Sequence, residues 1–133
     1  MKLTFVLPMT LVLAACAGET PTGPCGESFC IPRDAHLLGK RTSVDFNNYQ
    51  VTWRGGHFDI YEGNHPQGLN DAGGSVFELP VRRAGTLRVS GTGCSVIFDT
   101  QRNWPAYVKV VGPCQSSEDC PVKSLALALT LRS

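Results

Sequence analysis

The chain predicts an all-β fold, an antiparallel β-sandwich or a small closed β-barrel of about eight short strands, stapled by disulfides. Three observations carry that expectation. Apolar residues recur at every second position over most of the chain beyond residue 24, which is the period of a half-buried strand. Glycine and proline are abundant, at 14 and 9 of 133 residues, while charged residues make up only 17%, a composition suited to short elements joined by tight turns. Six cysteines stand in a chain small enough for crosslinks to matter.

The elements follow in order from the pattern. A first strand is expected at Thr42 to Phe46. In the next, Tyr49, Val51 and Trp53 alternate with Gln50, Thr52 and Arg54 before Gly55-Gly56. Two glycines accept the positive φ angles that a two-residue hairpin turn demands. With that pair as the turn, Arg54 faces His57, Trp53 faces Phe58 and Val51 faces Ile60, so the apolar pairs share one face. A further strand is expected at Ser75 to Val81, where Pro80 lacks an N–H and so marks an edge strand or its end. Ser90-Gly91-Thr92-Gly93 turns a second hairpin. With Gly91-Thr92 or Thr92-Gly93 at the tip, Leu87 and Val89 share a face with Cys94, Val96 and Phe98. Ala106 to Val111 comes after a turn near Asn103-Trp104-Pro105. Last, Leu125, Leu127, Leu129 and Leu131 alternate with Ala126, Ala128, Thr130 and Arg132, which reads as a strand with its leucines on one face. No amphipathic helix is expected.

Ahead of this domain, Met1-Lys2 places one positive charge before an apolar run from Leu3 to Ala15. That run is too short for a membrane-spanning helix, which needs ~20 residues, and fits the ~7 to 15 of a secretory signal. It ends in Leu13-Ala14-Ala15-Cys16, which resembles the lipobox of bacterial lipoproteins: an aliphatic residue, two small residues, then a cysteine that is acylated and becomes the mature N-terminus. The resemblance implies that 1–15 is a cleaved signal peptide, that Cys16 carries lipid, that 16–24 is a polar tether and that 25–133 is a single β domain. Two or more acyl chains on one residue make a stable anchor where a single chain holds only marginally. Ala17 and Gly18 stand where many Gram-negative lipoproteins retained in the inner membrane carry an aspartate, so the implied location is the periplasmic face of the outer membrane.

Loss of Lys2 with the leader leaves eleven Lys and Arg against eleven Asp and Glu, a formal charge of zero. That balance, with Arg82-Arg83 as the densest basic cluster, argues against a nucleic-acid partner. With Cys16 committed to lipid, Cys25, Cys30, Cys94, Cys114 and Cys120 remain, and an oxidising compartment implies two bridges and one spare thiol. Cys25 with Cys30 and Cys114 with Cys120 would close small loops. Cys94 with Cys114 competes, because a hairpin turning near residues 103–105 sets them opposite each other. Cys94, on the apolar face, is also a candidate for the spare thiol. Four and five intervening residues, with no histidine close by, do not fit zinc spacing, so neither metal nor cofactor is expected.

No catalytic residue is assigned. The histidines are His36, His57 and His65, and Gly-x-Ser-x-Gly, His-Glu-x-x-His and phosphate-cradling glycine loops are absent. His57 and Asp59 share the polar side of one strand, the only pair suited to a metal-binding or hydrolytic alternative. The binding candidates are Trp104, a bulky aromatic among turn-forming residues, its neighbour Arg102, and Arg82 and Arg83. The loop HPQGLNDAGG, residues 65–74, is a second place for a contact. Ser90-Gly91-Thr92-Gly93 is similar over four residues to a serine-glycine loop motif of the membrane-bound lysozyme inhibitors, but Cys94-Ser95-Val96 lacks the aromatic that completes that motif. The expected function is therefore that of a lipid-anchored periplasmic binding protein working through protein–protein contacts. Such a protein acts as an inhibitor, a toxin-immunity protein or a small subunit of an envelope or secretion machine.

Overall fold

The computed structural model describes residues 22–69, 74–79, 83–90, 93–113 and 120–132, with Leu79 and 83–90 described by their backbone. Among them, in chain order, lie β1 (Thr22–Cys25), β2 (Phe29–Pro32), β3 (His36–Thr42), β4 (Phe46–Trp53), β5 (Gly56–Gly63), β6 (Ser75–Leu79), β7 (Arg83–Ser90), β8 (Gly93–Asp99), β9 (Tyr107–Pro113), the helix α1 (Pro121–Ala128) and β10 (Thr130–Leu131). They form two antiparallel sheets, one ordered β1-β2-β10 and one ordered β3-β4-β5-β9-β8-β7-β6. The large sheet ends at β3 and β6, which are not paired with each other. It is an open sheet, not a closed barrel. The edge position of β6 matches the expectation drawn from Pro80, while Pro80 and Val81 themselves lie outside the described residues.

Alternation decides which face is buried. In β4, Asn47, Tyr49, Val51 and Trp53 are buried while Gln50 is exposed; in β5, Phe58, Ile60 and Glu62 are buried while His57 and Asp59 are not. Val96 and Phe98 of β8 and Val108 and Val110 of β9 continue that inner face, and Phe29, Ile31, Val122, Leu125 and Leu129 cover it from the small sheet and α1. Phe29 meets Tyr49 edge-on at 5.2 Å between ring centroids. Each fully buried side chain of this kind contributes roughly 1.5 to 3 kcal/mol, largely offset by the ~1 to 2 kcal/mol per residue that ordering the backbone costs. The result is a sandwich-like pair of layers with the outer face of the large sheet open to solvent.

Four expectations are corrected. The segment after Cys120 is a helix, although its leucines alternate. Val122, Leu125, Ala126 and Leu129 stand at i, i+3, i+4 and i+7, and Val122, Leu125 and Ala126 are the residues α1 buries, while Leu127 is left 38% exposed. Leucine and alanine favour helix, and Pro121 takes the first turn, where its missing N–H costs nothing. Only Thr130–Leu131 is strand, pairing with Cys30 and Phe29. Thr42 to Phe46 is not one strand: Thr42 ends β3, Phe46 begins β4, and residues 43–45 turn between them, with the Ser43 N–H donating to the Phe46 carbonyl at 2.8 Å. The folded part also begins earlier than Cys25, since Thr22–Pro24 belong to β1. The strand count reaches ten among the described residues.

The fourth correction concerns the β4–β5 hairpin. Trp53 pairs with Gly56, Thr52 with His57, and Val51 with Phe58, so the turn is Arg54-Gly55, one residue earlier than Gly55-Gly56. Moving a two-residue turn by one position slides the partner strand by two, which keeps every side chain on its original face; the apolar match therefore cannot tell the two registers apart. Both turn residues take positive φ, 49° for Arg54 and 79° for Gly55. Arg54 is held there by its guanidinium, 4.1 Å from the Trp53 ring and 3.8 Å from Asp34, whose other oxygen accepts the Trp53 indole N–H at 2.9 Å. Gly56 is spared for packing, because a Cβ there would lie 2.8 Å from the Phe58 ring. In the second hairpin Ser90 pairs with Gly93 and Val89 with Cys94, one of the two registers expected, while Gly91 and Thr92 lie outside the described residues.

Candidate functional site

Three connections meet at one end of the large sheet, where β4 and β9 start and β5 and β8 stop. Residues 43–45 join β3 to β4, residues 64–68 leave β5, and residues 100–106 join β8 to β9. The 100–106 loop is fixed from within and from the side. The Thr100 N–H donates to the Ala106 carbonyl at 2.9 Å, and the Ala106 N–H donates to Asn64 Oδ1 at 2.9 Å. Trp104 precedes a cis proline on this loop, stands 39% exposed, and donates its indole N–H toward the Asp45 carbonyl at 3.4 Å.

Beside Trp104 the outer face of the sheet carries a stacked pair, Phe46 on β4 and Tyr61 on β5, with ring centroids 5.7 Å apart and planes 28° from parallel. Phe46 pairs with Gly63, whose missing side chain leaves room for the diagonal Tyr61. The Tyr61 hydroxyl accepts the His65 N–H at 3.0 Å, and Lys109 Nζ donates to the Gln67 carbonyl at 2.7 Å, tying the 64–68 loop to the sheet. Asp45, Phe46, Asn48, Tyr61, His65 and Lys109 line a depression of about 510 Å³. That volume lies within the ~300 to 1,000 Å³ of common binding sites, and its mixed aromatic and polar wall suits partial burial of a partner's side chains.

The corner rests on a buried carboxylate. Glu62 is wholly inaccessible to solvent. It accepts the Glu27 N–H at 2.7 Å, Tyr49 Oη at 3.2 Å, and the Ser28 hydroxyl and Asn47 amide each at 3.4 Å. Burial, and then the charge of Glu62, push the Tyr49 hydroxyl well above the usual tyrosine range. The Glu27 amide belongs to the turn closed by the Cys25–Cys30 disulfide, and Gly26 must be glycine because a Cβ there would lie 2.6 Å from Glu62 Oε2. Two arginines grip the same turn from outside. Arg102 donates to the Glu27 carbonyl, and Arg132 donates to the Gly26 carbonyl at 2.7 Å. The turn's amide thus faces the anion and its carbonyls face the cations.

Of the residues singled out from sequence, Trp104 joins this corner and His65 joins it from the adjoining loop. Arg102 lies nearby, with its guanidinium engaged by the turn. The Cys25–Cys30 bridge is present, and Cys94 and Cys120, both buried, are also disulfide-bonded, so Cys94 is not the spare thiol. Cys16, Arg82 and Cys114 lie outside the described residues, as does the side chain of Arg83. His57 and Asp59 share the exposed face of β5, opposite Thr52 and Gln50, and among the described residues no group of three or more His, Cys, Asp or Glu comes together to hold a metal. Sequence reasoning missed Phe46, Tyr61 and Glu62. The signal for all three is a residue in the wrong phase: a carboxylate on the apolar side of β5, and aromatics on the polar side of β4 and β5. The chain matches no protein-family model, no curated protein and no solved structure.

Proposed function

We propose that this chain is a lipid-anchored, non-enzymatic binding protein of the bacterial envelope, acylated on Cys16, held at the periplasmic face of the outer membrane, and engaging a protein partner through the aromatic corner at Trp104. The observation that carries the reading is the state of Trp104, a large aromatic left 39% exposed on a loop that hydrogen bonds already hold in place. Tryptophan and tyrosine on a rigid support lose little conformational freedom on binding, and such residues dominate the energetics of protein interfaces. The depression beside it supplies a pocket for a partner's anchor residue, with Asp45, His65 and Lys109 as its polar margin. The lipobox at Leu13-Ala14-Ala15-Cys16 supports the anchor, and Ala17 supports the outer-membrane destination.

The test compares wild type and Trp104→Ala in quantitative capture from envelope extracts of the cells that make the protein. Truncation of a central interface tryptophan costs roughly 2 kcal/mol or more, so a partner retained by the wild type is expected to bind Trp104→Ala at least ~30-fold more weakly. Retention of the same partner at unchanged affinity overturns the reading. The anchor has its own test. Labelled palmitate is expected in the wild type and absent from Cys16→Ala.

A further inference from the structure

We propose that the half of the β3 edge nearest Trp104, Gly39 to Thr42, is a strand-addition site, where a short acidic segment of the protein partner pairs antiparallel to β3 and leads on to the aromatic corner. The proposal rests on the protein-partner reading and deepens it. Among the described residues β3 is one end of the large sheet, with β4 as its neighbour, and all of its residues but Gly39 are exposed. An edge of this kind is a template for another strand.

The ladder decides which backbone groups are on offer. The Ser43 N–H donates to the Phe46 carbonyl, so these two residues form a hydrogen-bonded pair. In an antiparallel ladder such pairs alternate with non-hydrogen-bonded ones. Thr42 opposite Asn47 and Lys40 opposite Tyr49 are therefore of the second kind, and their N–H and C=O groups point away from β4. Toward the hairpin tip the row is interrupted. Leu37 pairs with Val51 and Gly39 with Gln50, which leaves Leu38 as the extra residue of a bulge. The regular edge is thus the half beside residues 43–45. In that turn Val44 is 93% exposed, and the Asp45 carbonyl receives the Trp104 indole N–H at 3.4 Å, so a segment leaving the Thr42 end meets the corner directly.

Gly39 carries the argument. Glycine inside a strand gives up backbone entropy and side-chain packing, and it marks a special φ or the close approach of another group. Nothing within the chain calls for it here. Gly39 is not among the glycines with positive φ, and a Cβ there would meet only Gln50 Oε1, at an ordinary 3.5 Å. The missing side chain instead leaves a notch in the rim of a depression of about 490 Å³ that Arg41, Asn48, Gln50 and Asp59 also line. On an added strand the residue facing Gly39 belongs to a non-hydrogen-bonded pair, with Cα atoms about 4.5 Å apart, and its side chain enters that notch.

Charge selects the segment. Lys40 and Arg41 are both exposed and lie on opposite faces of β3, Lys40 with its Nζ 5.5 Å from the centre of the Tyr49 ring and Arg41 beside the outer depression. Asp59, the acidic residue of that depression, stands on β5, two strands in from the edge. Two copies of β3 brought edge to edge would set cation against cation, which disfavours a second copy of this chain as the occupant. Two adjacent carboxylates on a partner strand would instead meet one cation on each face.

The probe is the capped hexapeptide Thr-Glu-Glu-Val-Thr-Val, whose first four residues face Thr42, Arg41, Lys40 and Gly39 in antiparallel order, with a control in which both glutamates are lysine. Each is titrated into isotope-labelled full-length lipoprotein in detergent micelles and followed by amide resonances. The Lys40 and Thr42 amides are expected to shift and to gain protection from exchange, and the glutamate peptide is expected to bind at least ~10-fold more tightly than the lysine peptide. Gly39→Thr fills the notch with a strand-favouring residue; it is expected to keep or raise the melting temperature and to weaken the glutamate peptide at least ~10-fold. Replacing both Lys40 and Arg41 by Glu is expected to reverse the preference between the two peptides. Unshifted Lys40 and Thr42 amides, equal binding of the two peptides, or binding unaffected by Gly39→Thr overturns the strand addition. Any of these leaves the protein-partner reading standing, because capture through Trp104 is read in a separate assay.

Discussion

The two ends of the large sheet are held by different physics. At the loop end a buried anion, a disulfide-closed turn and two arginines are interlocked, so that Glu62, Gly26, Arg102 and Arg132 depend on one another. At the tip a two-residue turn is held by one exposed ion pair and a ring stacked under a guanidinium. The difference teaches where a small β domain fixes geometry. The end that displays Trp104, Phe46 and Tyr61 is over-determined by polar contacts that cannot slide, while the hairpin tip needs only a tight turn over an apolar layer. Rigidity is concentrated under the aromatic corner.

The largest expected effect comes from breaking that lock. Glu62→Ala leaves a backbone amide and three side-chain donors facing a buried gap, and a loss of about 3 kcal/mol is expected in chemical denaturation. A loss under about 1 kcal/mol would show that the turn is held by its apolar contacts alone. Replacing both Cys25 and Cys30 by serine opens a short loop and should cost about 2 kcal/mol on chain-entropy grounds, with the same assay as the check. Neither change touches the tip.

A third prediction uses pH. The folded state holds the Tyr49 proton more tightly than the unfolded chain does, because burial and the Glu62 charge disfavour the phenolate. The resulting stability is fully present below the ordinary tyrosine pKa of about 10 and is lost as pH rises above it. Denaturation midpoints measured from neutral to strongly alkaline pH should fall for the wild type and fall less for Tyr49→Phe. Identical slopes in the two proteins would remove Tyr49 from the lock. The smallest effect belongs to the tip, where Arg54→Gly relieves a positive φ of 49° and gives up an exposed ion pair and a cation–π contact. These effects nearly cancel, and a net change within about 1 kcal/mol is expected in thermal unfolding.

How much of this was legible in the sequence depends on what alternation records. Period two marks β4, β5 and β8 and their buried faces, because pleating alone sets that period. It fails where two periods coincide, as from Val122 to Leu129, where a leucine at every second position also satisfies the helical spacing. It cannot fix a hairpin register either, since a two-residue slide at Arg54-Gly55 leaves the faces unchanged. At the corner, Trp104 was visible because nothing local explained so large a residue in a turn. Phe46 and Tyr61 were not, because their stacking depends on the register that alternation leaves open. Glu62 was written in plain view as a carboxylate in the buried phase, but its partners Glu27 and Ser28 lie 35 and 34 residues away. Only the packing of one sheet on the other joins them.

One measurement tests the division of labour most directly. A photo-crosslinking amino acid is placed at residue 104 in one strain and at residue 55 in another, and both are irradiated in intact cells. Position 104 is expected to yield a discrete protein adduct, and position 55 to yield no protein of that size. A protein adduct of the same size from residue 55, with none from residue 104, would reverse the two ends and contradict the account.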